Sequence, residues 1–319
     1  MKLKKGDLIG VISPSWCGPE IFTAVYKSGL ENINSMGYKI KEYSYTTKQG
    51  TPKERAEDIH KAFTDDETKA VFITIGGDDC MLLLPHLDIS LLKNNAKPIM
   101  GYSDATALFA FISQHNIPCY YGPTVMAGFA QILDFPNWYN YVQNIIQGGQ
   151  NSFNSFPEYS NGYKDWGEVP NKVKEKISNE GFHFLTNETG SGKLFGGCLE
   201  VLEFLKETPY FPPIDFWNDK ILFLETSEEV PKPTEVKRIL RNYGLAGILA
   251  RVKGLLFGRA RDYTRKEKEE LDEIIMQVLA EFNISIPVVT NIDFGHTDPQ
   301  LILKYGSHVH ISENKLDYL

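Results

Sequence analysis

Short apolar runs that alternate with helical patterns are the feature that most narrows what this chain can fold into. Leu8 to Ser13 reads as a buried strand, Ile21 to Met36 as a helix closing at Gly37, and Tyr38 to Tyr45 alternates as a strand does. Thr51-Pro52-Lys53-Glu54 starts a helix by a recognisable device, with Thr as cap, Pro in the first turn, and Glu reaching back to the cap. Ile59, Ala62 and Phe63 fall on one face of that helix, and Ala70 to Ile75 and Lys97 to Tyr102 follow as buried strands. Strands joined through helices build a mostly parallel sheet covered on both faces. Such sheets carry their chemistry at the carboxyl edge, where the strands end.

Three loops at that edge are unusual: Ser13-Pro14-Ser15, Gly76-Gly77-Asp78-Asp79 and Ser103-Asp104. From about Gly148 to Gly190 the chain turns to Asn, Ser, Gly, Lys and aromatics without sustained periodicity, which reads as a connection carrying a long loop. Regular patterns then resume. A helix follows Gly196-Gly197 through Lys206, strands cover Ile221 to Leu224 and Gly254 to Phe257, and a charged helix spans Arg265 to Phe282. A strand over Pro287 to Asn291 and a terminal hairpin turning near Lys304-Tyr305-Gly306 complete the reading.

Composition removes several function classes. With 319 residues and 42% hydrophobic content, the chain can bury a large core without staples. A net charge of -8 with no long Lys/Arg run argues against nucleic acid or an anionic membrane surface as partner. The four cysteines (Cys17, Cys80, Cys119, Cys198) form no Cys-x-x-Cys pair and no zinc-spaced cluster, so reduced thiols are expected. The basic start, Met1-Lys-Leu-Lys-Lys, is followed by too short an apolar stretch for a secretion signal. No segment approaches the ~20 apolar residues of a membrane span, and a cytoplasmic location is expected.

Ser103 sits where a strand runs straight into a helix with Ala105, Ala107, Leu108 and Phe111 on its inner face. A serine on so sharp a turn exposes its hydroxyl, and the next backbone N–H lies at a helix start, where a developing oxyanion is stabilised. The alternative is that Ser103 or Asp104 only caps the helix. The glycines at 76 and 77 let backbone N–H groups converge on a ligand, or simply make a tight turn. The two aspartates after them argue against a phosphate there. Glu225 ends a buried strand, where a carboxylate is poorly solvated and needs a partner; otherwise it joins the polar run Thr226-Ser227-Glu228-Glu229 at the start of the next helix.

His296, held between Gly295 and the Asp298-Pro299 turn, follows another buried strand and titrates in the range that suits a base. His308 and His310 share a strand face without a third ligand nearby, so no metal site is expected. Cys80 is a rival nucleophile of the amidotransferase-like kind, but it lacks small flanking residues. One serine, one acid and one histidine thus each follow a buried strand, an order that permits a triad without proving one.

Taken together, the segments Gly76-Gly77-Asp78-Asp79, Gly101-Tyr102-Ser103-Asp104, Gly196-Gly197-Cys198-Leu199, Leu222-Phe223-Leu224-Glu225 and Asp293-Phe294-Gly295-His296-Thr297-Asp298-Pro299 resemble the LD-carboxypeptidase (muramoyltetrapeptide carboxypeptidase) family. The last segment and the Gly-Gly-Asp-Asp loop look more like its branch containing the microcin C immunity proteins. The resemblance implies an α/β fold: an N-terminal, mostly parallel sheet flanked by helices, flavodoxin-like or amidotransferase-like, and a smaller β-rich C-terminal domain. The expected division is 1–147, a connection with a substrate loop over 148–190, and 191–319. It implies Ser103 as nucleophile, Glu225 as acid, His296 as base, and the Gly77 and Asp104 N–H groups as oxyanion hole. It also implies a homodimer and no metal or other cofactor. Cys198 stands where relatives usually carry Asn, a departure at the start of the second lobe's first helix.

Two substrates fit that chemistry: a murein tetrapeptide losing its terminal D-alanine, and a peptidyl or aminoacyl nucleotide. Tyr163 and Trp166, in the long loop, are the candidates to stack on a nucleobase, with local packing as the alternative. The rivals are a non-catalytic two-lobed module that binds a peptide or sugar, and a Cys80-dependent amidohydrolase.

Overall fold

The computed structural model describes residues 1–162, 166–167 and 175–319. In the first half, the apolar runs become five parallel strands: β1 (Leu8–Ile12), β2 (Lys39–Glu42), β3 (Thr68–Ile73), β4 (Ile99–Gly101) and β5 (Cys119–Tyr121). They lie in the order β5-β4-β3-β1-β2, the doubly wound arrangement whose strand order reverses between β1 and β3. The helix over Pro52–Thr64 begins as its sequence dictates. Thr51 Oγ1 accepts from the Glu54 N–H at 3.3 Å, and Glu54 accepts from the Thr51 N–H at 2.8 Å.

Within the stretch 148–190, β6 (Glu158–Ser160) and β7 (Lys176–Ser178) form a small antiparallel ribbon, and β8 (His183–Phe184) edges the second sheet. That sheet's centre is four parallel strands, β9 (Gly190–Cys198), β10 (Lys220–Glu225), β11 (Gly254–Gly258) and β12 (Val288–Ile292). Helices Leu199–Leu205, Pro233–Leu245 and Arg265–Glu281 connect them. The expected glycine pair 196–197 lies inside β9, so the helix starts only after Cys198.

The end of the fold differs from the sequence reading. No hairpin forms around Tyr305. Instead, β13 (Leu303–Lys304) pairs antiparallel with β5 in the first sheet, and the chain then steps across to the second. There, β14 (His308–Ser312) pairs with β9, and the hairpin to β15 (Lys315–Tyr318) turns at Glu313-Asn314. Asn314 takes the positive φ of 54° that such a turn requires. A two-residue strand has no periodicity of its own, and its partner is set by tertiary packing.

Helix Ala105–Ile112, directly after Ser103, is apolar nearly all round, and all its residues but Phe111 are buried. Such a helix belongs in an interior. It packs against β9 and helix Leu199–Leu205, and Thr106 Oγ1 accepts from the Cys198 N–H at 2.9 Å. The helix that carries the serine is therefore also the joint between the two sheets.

Candidate active site

Ser103 leaves β4 with φ 64°, a left-handed conformation that costs a non-glycine residue of order 1 kcal/mol and turns the hydroxyl out of the sheet. The strain is tolerated because the neighbouring chain is fixed. The Ser103 N–H donates to the Tyr121 hydroxyl at 3.2 Å, and Asp104 accepts from Ser15 Oγ (2.5 Å) and the Cys80 N–H (2.8 Å). Gly76 is required beside it, since a Cβ there would lie 2.8 Å from Ser103 Oγ. Gly77 follows with φ 151°, and among the described residues no acceptor takes its N–H or that of Asp104.

The loop bearing these glycines is anchored by a residue the sequence reading passed over. Arg55, only 2% exposed, grips Asp79 with two bonds of 2.7 Å and also donates to the carbonyls of Pro14 (3.0 Å) and Ser15 (2.8 Å). Its position on the same helix face as Ile59, Ala62 and Phe63 was the available signal. One guanidinium thus ties the loop after β1 to the loop after β3.

The second sheet supplies the rest. Glu225 closes β10 fully buried, and His296 lies in a loop fixed by reciprocal backbone bonds between Ser160 and Asp298 (2.8 and 3.3 Å). Beneath it, Asp293 forms a buried ion pair with Arg259 and accepts from the Phe156 N–H at 2.9 Å. His296 Nδ1 lies 2.7 Å from Glu225 Oε2, and its Nε2 lies 3.0 Å from Ser103 Oγ. Tyr121, another unread residue, donates to Glu225 Oε1 at 2.5 Å and thereby links the acid to the serine's backbone.

The imidazole has a further neighbour. Glu228 Oε2 is 2.7 Å from the same Nε2 that faces Ser103, although nearly half of the Glu228 side chain (47%) is exposed. Burial alone would lower the His296 pKa, but the carboxylates on its two nitrogens outweigh that and lift it to about 10. Burial pushes Glu225 upward, opposed by His296 and Tyr121. At Glu228 burial is outweighed by the imidazolium, and its pKa falls to about 2.

Two cavities meet at Ser103. One, of about 350 Å³, is walled by Trp16, Phe22 and Trp166, with Arg261, Glu228 and His296 at its margin. Trp166 stands edge-on to Phe22 at 5.4 Å, so it both packs locally and faces the cavity; Tyr163 lies outside the described residues. The other, of about 460 Å³, runs past Cys198 and is discussed below. Cys80 lines neither of these two, and burial pushes its thiol up, which disfavours it as nucleophile. All four cysteines are unpaired and buried. Among the described residues no group of His, Cys, Asp or Glu is placed to hold a metal, and no helix is long and apolar enough to cross a membrane.

The LD-carboxypeptidase N-terminal domain matches residues 9–122, and the LD-carboxypeptidase C-terminal domain matches residues 191–311. The chain belongs to the LD-carboxypeptidase family of serine peptidases. Within that family, it is 28% identical to the microcin C7 self-immunity protein MccF of Escherichia coli, over 95% of this chain and 90% of MccF. A murein tetrapeptide carboxypeptidase of Pseudomonas aeruginosa is 36% identical over 83 residues, 26% of this chain and 27% of that protein. The fold superposes on an MccF-like protein from Streptococcus pneumoniae, solved in complex with AMP, with TM-score 0.88 and 26% identity, covering 98% and 99% of the two chains. The mixed α/β architecture expected from sequence is the family's own.

Proposed function

We propose that this LD-carboxypeptidase family member cleaves a C-terminal amide or phosphoramidate-linked acyl bond through an acyl-enzyme on Ser103. The observation that carries the reading is the continuous chain Ser103 Oγ, His296, Glu225, at 3.0 and 2.7 Å, at the meeting point of two cavities. In its free-base form His296 Nε2 takes the Ser103 proton as the hydroxyl attacks the acyl carbon. The oxyanion is received by the Gly77 and Asp104 N–H groups, each worth roughly 100- to 1,000-fold in rate. The imidazolium then protonates the leaving group, and water releases the acyl group by the reverse proton path. Glu225 holds the tautomer and stabilises the charged ring. On this reading residues 1–147 hold the nucleophile, and 191–319 hold acid and base.

The aromatic walls and Arg261 favour a planar leaving group with an anionic attachment, such as a nucleotide, over a lone D-alanine. Incubation with murein tetrapeptide and with an aminoacyl or peptidyl nucleotide, followed by mass spectrometry, tests both arms. Ser103→Ala should lose on the order of 10⁴- to 10⁶-fold in kcat. Equal turnover by Ser103→Ala would remove the seryl mechanism.

A further inference from the structure

The larger cavity has an unusual lining. Its floor is apolar, with Val201, Phe204 and Ile239, while its rim carries carboxylates from both lobes and no Lys or Arg. Some of those acids are engaged: Asp104 by Ser15 and Cys80, Glu200 by the Ser227 N–H and hydroxyl (3.0 and 2.7 Å), Glu235 by the Lys232 N–H at 2.7 Å, and Glu203 by Asn242 at 2.5 Å and Lys206 at 3.4 Å. Asp78, Glu228 and Glu229 remain along the side nearest the serine. A second fact is independent of this count. Glu228 lines both cavities, and its carboxylate occupies the His296 nitrogen that Ser103 needs. While it stays there, the imidazole is held protonated and cannot accept the serine proton. Something must draw it away.

We propose that this cavity receives a substrate residue bearing an ammonium or guanidinium group, and that Glu228 passes from His296 to that cation when the substrate binds. The inference rests on Ser103 being the nucleophile, and it makes Glu228 a positioning residue that couples substrate charge to the state of the base. The geometry suits the exchange. Glu228 stands on the exposed loop between β10 and helix Pro233–Leu245, and a long cationic side chain can lay its methylenes on the apolar floor with its charge at the rim. The groups facing Glu228 are Glu229 on its own loop, Glu200 from the helix after β9, Asp78 and Asp104 from the first lobe, His296, and Arg261 on the aromatic side. Toward the larger cavity the field is wholly acidic, so a cation entering there is attracted and an acidic residue is repelled.

Two fluorophosphonates of equal length, one ending in an ammonium and one in a methyl group, test this on the full chain. Ser103 Oγ attacks phosphorus, the P–F bond breaks, fluoride leaves and the proton passes to His296, so labelling reports the base without a known substrate. The ammonium probe should label Ser103 roughly ten-fold faster near neutral pH at low salt, with the ratio shrinking as salt is raised. In Glu228→Gln the ratio should fall toward one, the neutral probe should react faster than with wild type, and its pH–rate midpoint should move down. Equal wild-type rates for the two probes, or a charge preference and pH midpoint unchanged in Glu228→Gln, overturn the inference while leaving the nucleophile in place. Failure of both probes to label Ser103 in either protein overturns the seryl reading and this inference together.

Discussion

Ser103 and His296 meet at 3.0 Å from sheets that hold their functional groups in different ways. On the first sheet the constraint lies in the backbone: a serine at φ 64°, a glycine loop with no room for a Cβ, and one arginine binding two loops. On the second sheet it lies in charge, with two carboxylates on one buried imidazole and a buried Arg259–Asp293 pair beneath it. The first arrangement is insensitive to pH and intolerant of shape change. The second tolerates isosteric replacement sterically and responds strongly to protonation.

That contrast can be broken by experiment, beginning on the charged side. Glu225→Gln keeps the shape and removes the charge, and should lower kcat by about 10⁴-fold while the fold persists by circular dichroism. Retained activity would mean the second sheet works by shape after all. His296→Gln leaves Glu225 buried and unpaired, costing about 3–5 kcal/mol near pH 6. Because His296 is raised from 6.5 to about 10 on folding, the charged pair stabilises fully below pH 6.5 and is lost as pH rises through 10. The melting-temperature gap between wild type and His296→Gln should therefore narrow between those values; a constant gap would deny the ion pair.

Tyr121→Phe tests the link between the two sides. Removing its hydroxyl strips a donor from buried Glu225 and an acceptor from the Ser103 N–H. A loss of about 1–3 kcal/mol in transition-state stabilisation, or 10- to 100-fold in kcat/KM, is expected. The smallest change is Thr51→Ala, far from the chemistry, which should cost about 1 kcal/mol in denaturant unfolding and leave kcat unaltered. Any effect on turnover would show that the Arg55 helix transmits its start to the loops it clamps.

Ser103, Glu225 and His296 could be read from sequence because each follows a long apolar run, and doubly wound sheets gather such positions at one edge. The Thr51 box was legible because its logic spans four consecutive residues. The partners that hold the site were not. Tyr121 ends a strand of only three residues, too short to display a period, and Arg55 looks like any helical arginine until its burial is known. Glu228 was read as part of a polar run opening a helix, but that helix begins at Pro233, and the intervening loop folds back over the histidine. The pairing of β13 with β5 joins residues nearly two hundred positions apart, and no local pattern encodes it.

That late strand has a consequence for biosynthesis. A nascent chain that has reached Ile292 has all the parallel strands of both sheets, yet β5 still presents an open edge until Leu303 and Lys304 emerge. His296 follows β12 and precedes this closing strand, so base and edge cover arrive within a few residues of each other. Two separately expressed halves divided between the sheets would each carry a defect, one an unprotected edge and the other an orphaned segment with nothing to pair against. Splitting this protein for complementation would require moving the cut, because its lobes are interleaved in the chain even though they are separate in space.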